Sequence, residues 1–311
     1  MGAAAARITA EDFVTPPEFA GLRPPGRTGQ VGGVRCELVL AEGKTRLGAC
    51  YQQVPLRVLP PFQLPPDPGL LYLLNPTAGL LDGDAHLIEL AAGPGTRAVV
   101  TGQSANRVHP AVDGFATQRW RVRVAAGARL VVLPGPTIPF AGCRYHQRTD
   151  VELEEGAQLL WGDVWLPGRY CRGAASEWFR FDRVVQHLEV RRGGRLAYRE
   201  RFDWRGPWSP EEADWLLGGA RATASLFVTG PACPPPDPGG PGVERTVLRL
   251  ASGDTCVRWC GPPQLVPAAL VGTALRLAGD HDRPWLLGSR NLTEGHWFSV
   301  RLGRQDARRE A

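Results

Sequence analysis

Asp82, Asp84 and His86 alternate along the run LLDGDAHL and are the one small cluster of candidate metal ligands in the chain. Two carboxylates and an imidazole so close together could make a transient metal site. The plainer reading is a charged turn in which Asp82 and Asp84 bond their own backbone. Cys256 and Cys260 stand four apart, so on a strand they share a face. A zinc site wants a tighter pair and a second pair. Neither is present, so these two read as packed thiols. The remaining histidines are dispersed, with no His-x-His or His-Glu-x-x-His spacing. Glu154-Glu155 and Glu211-Glu212 are adjacent, so their side chains point apart and share no substrate. No phosphate loop, dinucleotide fingerprint or nucleophile elbow stands in a usable context. A Ser/His/Asp triad assembles by geometry rather than spacing, so the sequence leaves it open. Nothing in the chain argues positively for catalysis.

The elements that must position these residues show in the period. Between Trp120 and Tyr170 one unit occurs twice: an alternating strand, a glycine turn and a second strand. Apolar residues at every second position put one strand face in a core and the charges in water. The unit recurs around Gly43, around Gly93 and Gly95, and around Gly193-Gly194, which with Gly127 and Gly156 makes five copies. Their uneven spacing rules out a strict solenoid. They read as stacked β-hairpins, each burying one face on its neighbours, in a mainly β chain forming a helical β-structure or sandwich.

Thirty-eight glycines and 29 prolines in 311 residues suit short strands and turns and work against long helices. Residues 1–30 carry no period and read as a poorly ordered arm, followed by a single β-rich domain over 31–296 and an Arg-rich tail over 297–311. Two α-helices are expected in the C-terminal third. One starts at the capping box Ser209-Pro210-Glu211-Glu212; the other is the apolar run Leu265–Leu277. The net charge is +5, but the arginines alternate with Asp and Glu, so no basic face for nucleic acid is expected. No apolar run reaches membrane-spanning length and no signal segment opens the chain, while seven cysteines without a framework suit a reducing, cytoplasmic setting.

Two stretches carry a family resemblance. NPTAGLLDGDAHLIELAAGPGTRAVVTGQSANRVHP and LPGPTIPFAGCRYHQRTDVELEEGAQLLWGDVWLPGR resemble, in this order, the two signatures of the urease accessory protein D family, called H in some bacteria. The likeness covers roughly residues 33–280. The loop Ala105–Pro110 departs from the family pattern by lacking its lysine and tyrosine. The resemblance implies a helical β-structure with two late helices and a non-enzymatic role. It implies binding to the urease apoprotein and to accessory protein F, which recruits the GTPase accessory protein G. Nickel would pass in transit, along a tunnel through the scaffold, with no cofactor held stably.

On this reading loops 75–84, 101–110 and 134–146 lie at one place in the repeat and present one rigid surface. Asp82, Asp84 and His86 would line the nickel path. Thr101, Arg107, His109 and Thr137 would meet partners. Two rivals from other classes stand beside it: a β-sandwich hydrolase or isomerase, and a ligand-binding module using Trp161, Trp165 and Trp178 as an exposed platform.

Overall fold

Alternation of apolar and polar residues builds eighteen described strands, and glycine decides where each ends. The computed structural model describes residues 6–63, 69–171, 177–232, 234 and 240–278. In chain order the strands are β1 (Val31–Ala41), β2 (Lys44–Gln53), β3 (Arg57–Val58), β4 (Phe62–Gln63), β5 (Gly69–Leu74), β6 (Ala85–Ala92), β7 (Arg97–Gly102), β8 (Asn106–Val108) and β9 (Ala116–Val124). They continue with β10 (Arg129–Leu133), β11 (Pro136–Pro139), β12 (Arg144–Leu153), β13 (Gln158–Trp165), β14 (Arg183–Arg192) and β15 (Arg195–Arg205). Helix α1 (Pro210–Leu217), β16 (Ala222–Val228), β17 (Glu244–Arg249), β18 (Thr255–Gly261) and helix α2 (Val266–Leu277) complete the described elements.

Two sheets face each other. The first runs β15-β14-β12-β9-β6-β1-β2. The second runs β17-β18-β16-β13-β10-β7-β5-β3, with β4 on β5 and with β11 and β8 extending from β13. The mainly β class with two late helices is as expected, but only two of the five glycine units are hairpins. β1 pairs antiparallel with β2, and β14 with β15. Their turns place two successive residues at positive φ, Glu42-Gly43 and Gly193-Gly194, which suits a tight hairpin. The three central units are arches instead. β6, β9 and β12 lie in the first sheet, and the strands that follow each of them, β7, β10 and β13, lie in the second. Equivalent strands of successive arches pair in parallel and in register. An arch and a hairpin share the same local pattern of strand, glycine turn and strand. The difference lies in where the second strand finds its partner, which is a long-range matter.

The core fills the space between the sheets. Val122 and Trp120 of the first sheet meet Leu130, Leu159 and Trp161 of the second, all buried. The Trp120 and Trp161 rings pack edge to face at 5.2 Å. Helix α2 covers the outer face of the second sheet, where Leu270 and Ala274 pack on Val131 and Val164. Gly162 makes room for it, since a Cβ there would stand 2.8 Å from Leu270 Cδ2. α1 carries its expected capping box and buries only Ala213, leaving Trp215 85% exposed.

The N-terminal arm differs from expectation. Residues 6–30 lie along the outer face of the first sheet and bury Ile8, Phe13 and Phe19. The Gln53 side-chain amide grips both backbone groups of Ile8, and Phe19 stacks on Phe115 at 4.6 Å. Scattered anchors of this kind have no period, so periodicity could not reveal them. The Arg-rich tail 297–311 and the end of the 31–296 domain lie outside the described residues.

Leu130→Ala, which empties a fully buried site between the sheets, is expected to lower unfolding free energy by about 2–5 kcal/mol. Leu196→Ala, on a side chain 47% exposed at the β14–β15 end, is expected to change it by less than about 1 kcal/mol. Urea titration of the two variants checks both.

Candidate functional site

The connections that follow the second-sheet strands stack on one another, as their equivalent positions suggested. β8 pairs in parallel with β11, matching Asn106 to Thr137 and Arg107 to Ile138. Leu80 forms an isolated parallel bridge to Val108. Leu80 N–H donates to Arg107 O at 2.8 Å, and His109 N–H donates back to Leu80 O at 2.8 Å. Phe140 N–H reaches Val108 O at 2.9 Å. Gly79 permits this closeness, because a Cβ on it would stand 2.2 Å from Arg107 O. Segments 75–84, 101–110 and 134–146 thus form one hydrogen-bonded ledge.

Behind the ledge a cleft of about 60 Å³ runs between the sheets, with Asn75, Thr77, Gly79 and Asn106 among its lining and Gln118, Gln147 and Asp163 deeper in. Register explains the polar lining. His86, Gln118, Gln147 and Gln186 are successive partners across β6, β9, β12 and β14. Each has the parity of its strand's core-facing residues, so one row of polar side chains crosses the interior. Asp163 meets that row from the opposite sheet. Gln147 Nε2 and Gln186 Nε2 each donate to its carboxylate at 2.9 Å, and Trp161 Nε1 donates at 2.6 Å. Asn106 Nδ2 donates to the Tyr145 hydroxyl at 3.1 Å, and that hydroxyl lies within reach of Gln118 and Gln147. Polar groups therefore connect the ledge to Asp163. Burial raises the Asp163 carboxyl to about 6 against the opposing pull of its three donors.

The residues expected to line a metal path do not converge. The Asp82 carboxylate accepts from the backbone N–H groups of Val112, Asp113 and Gly114. Asp84 is buried and accepts from Gln30 N–H at 2.7 Å and Leu81 N–H at 2.8 Å. Burial raises its carboxyl while those two bonds lower it. His86 is fully buried on the inward face, with both ring nitrogens unpartnered, and burial pushes its imidazole down to about 4. Among the described residues no group of three or more His, Cys, Asp or Glu could hold a metal ion. The plain turn reading fits Asp84 in part, through Leu81 of its own turn, whereas Asp82 bonds the backbone of a distant segment.

The four partner candidates divide. Arg107 is exposed and His109 is half-buried, its Nε2 3.0 Å from Ala78 O and its ring 5.0 Å from Phe140. Thr101 is buried and donates to Leu133 O at 2.9 Å, and Thr137 is buried within the β11 pairing. Neither threonine is open to solvent, since the strand parity of these two turns them inward, whereas Arg107 and His109 of the same loop reach the surface. Trp161 and Trp165 are buried, and Trp178, partly exposed, lies beneath Arg221, so these three form no exposed platform. Cys256 packs against the Tyr198 hydroxyl, while Cys260 lies beside Glu244, and both thiols are free. Asp163 was missed, yet its signal stood in WGDVW: a carboxylate between two tryptophans at core parity.

Comparison with known proteins decides the family. The profile of UreD urease accessory protein matches residues 30–271, which include both sheets, the ledge and the polar row. The chain belongs to the UreD family. It is 36% identical to Urease accessory protein UreD of Deinococcus radiodurans over 210 residues, 66% of this chain and 73% of that protein. It is 42% identical to the protein of the same name from Opitutus terrae over 153 residues, 49% of this chain and 55% of that one. A Synechococcus UreD 2 is 33% identical over 189 residues. The family is one of urease maturation rather than catalysis by name, and the ledge is thereby a part of UreD architecture in this chain. Among the described residues no helix is long and apolar enough to cross a membrane.

Two outcomes follow from the geometry. Asp84→Ala leaves two backbone donors without their acceptor and is expected to lower stability by about 1–3 kcal/mol, read by chemical denaturation. Acidification should also destabilise the fold. The imidazoles of His86 and His146 sit near 4 when folded against an ordinary 6.5. The unfolded chain therefore binds protons that the folded chain refuses, and stability falls as pH drops from 6.5 toward 4. Asp163, raised to about 6, opposes this over part of the same window. His86→Leu is expected to remove up to about 3 kcal/mol of that loss in urea titrations at pH 7 and 4.5.

Proposed function

We propose that this protein is a scaffold of urease maturation that helps deliver nickel to the urease apoprotein, acting with accessory proteins F and G. The match of residues 30–271 to the UreD family carries this reading. The ledge supports it physically. Three connections locked by backbone bonds present Arg107 and the half-buried His109 on a preordered surface, so docking a partner costs little loop entropy. In this reading the role is non-catalytic and nickel is cargo, held by no permanent site.

The cargo route in this reading is the polar row behind the ledge, to which His86 belongs, rather than the turn carboxylates Asp82 and Asp84. Asn106, Tyr145, Gln147 and Asp163 supply oxygen and amide groups in sequence from the ledge inward. With an ordinary value raised only to about 6, Asp163 is mostly ionised at neutral pH. Its lone pairs already accept three hydrogen bonds, so an arriving divalent ion is met by a weakened ligand and leaves readily. The setting is the cytoplasm; free thiols at six described cysteines suit a reducing compartment.

Co-expression with urease subunits tests both halves. Wild type is expected to co-purify with the apoprotein and to raise its nickel content. Arg107→Glu should weaken co-purification by about tenfold or more, as loss of an exposed interface arginine does. Asp163→Ala should leave co-purification intact while lowering urease nickel content. Undiminished nickel content with Asp163→Ala would remove the proposed route, and absence of wild-type co-purification would remove the scaffold role.

A further inference from the structure

The outer face of the first sheet holds a second cavity, which the family reading does not use. It measures about 410 Å³ and lies between arm residues Phe13–Glu18 and strands β9, β12, β14 and β15. Its floor is set by the same register as the interior row, one residue along. Arg119, Arg148, His187 and Arg201 are successive cross-strand partners, with Thr117 and His146 paired beside them. Arg119 and Arg148, side by side on neighbouring strands about 5 Å apart, repel one another unless something negative lies over them, and the His187 imidazole separates them from Arg201.

The protein supplies only part of that negative charge. Arg148 forms a two-pronged pair with Asp150, which also lies 3.5 Å from Arg119. Arg201 pairs with Glu18 of the arm. Three guanidinium groups thus face two carboxylates, and the histidines add donors. The Arg119 Nε is buried without a hydrogen-bond partner. So is His187 Nε2, whose nearest carboxylate oxygen, on Glu189, stands 3.8 Å away. His146 is buried, with Nδ1 3.4 Å from the Thr117 hydroxyl. Burial, with the neighbouring arginines, holds both imidazoles below their ordinary value against the opposing pull of Glu18 on His146 and of Glu189 and Asp150 on His187. Guanidinium has five donors and no acceptor, so the unmet demand is for an oxyanion.

We propose that this pocket binds a small phosphoryl oxyanion, either free phosphate or a phosphomonoester, between the arginine row and the N-terminal arm. The ligand would take donors from Arg119, His187 and His146 while Glu18 and Arg201 close the arm side. Binding would fasten the arm, which already reaches the same row through Arg119 Nη1 to Asp12 O at 3.0 Å. The site is independent of the ledge and of the nickel reading.

The test is calorimetric titration of the full chain with inorganic phosphate, and separately with glycerol 3-phosphate, in chloride buffer of constant ionic strength. Hydrogen exchange of arm amides is followed in parallel. Wild type is expected to bind at least one of the two and to gain protection in residues 8–19. Tighter binding of glycerol 3-phosphate would identify a phosphomonoester, and equal or weaker binding would identify the phosphoryl group alone. The Arg119→Gln/Arg148→Gln double variant should bind about tenfold or more weakly. Arg46→Gln, an exposed arginine of β2 outside the cavity, should bind like wild type. Absence of binding by wild type overturns the proposal without recourse to any variant, and so does equal affinity in the double variant.

Discussion

In-register parallel pairing of successive arches is the constraint on which the rest of this molecule depends. Strand side chains alternate with a period of two, so pairing in register puts like positions of β6, β9, β12 and β14 in rows. Odd and even rows then have separate fates. One set of rows makes the apolar core around Trp120 and Trp161 and, near the strand starts, the polar row that meets Asp163. The other set faces outward and makes the arginine row beneath the arm. A slip of one residue in one strand would exchange the two, burying Arg119 or Arg148 and exposing Gln118 or Gln147. Register is therefore strongly specified, and the sites inherit that precision from the sheet.

The same pairing explains why loops behave as rigid surface. Each arch leaves the second sheet at an equivalent point, so the connections after β5, β7 and β10 arrive in the same place. They continue the parallel ladder through β8, β11 and the Leu80 bridge. Loops ordinarily carry recognition at the expense of order. Here the backbone bonds of the ledge reduce that expense, and Asp82 and Asp84 tie the nearby turn to residues 112–114 and to Gln30. Both carboxylates hold architecture by accepting these backbone donors.

Much of the fold was legible and the placement of single residues less so. Alternation and glycine marked the longer strands of both sheets, and a capping box marked α1, whereas β8 and β11 lie in segments that read as loops. Arches were read as hairpins because Gly127 and Gly156 terminate strands identically in both. Only distant pairing, β9 with β12 and β10 with β13, distinguishes them. Loop stacking was legible from equivalent positions, whereas the burial of Thr101 and Thr137 depends on strand parity carried a few residues past each turn. Asp163 was readable in principle. A carboxylate at core parity between Trp161 and Trp165 contradicts its surroundings, and such contradictions mark polar groups kept for a purpose other than packing. The arm left no such trace, because its anchors at Ile8, Phe13 and Phe19 are single residues spaced without period.

A stack of parallel arches would leave open ends able to accept further strands, and the chain closes them with antiparallel elements. β2 and β15 cap the two edges of the first sheet by hairpins, while β16, β18 and β17 finish one side of the second. These outermost strands carry charge at exposed positions, as with Arg46, Arg205, Glu244 and Arg249, although β17 also exposes Val247 and Leu248 in part. Exposed charge on an edge opposes pairing with another sheet. With both edges of the first sheet blunted in this way, strand addition there is a poor route to partners. Association is left to surfaces built from side chains and turns, and that is the kind of surface the ledge provides.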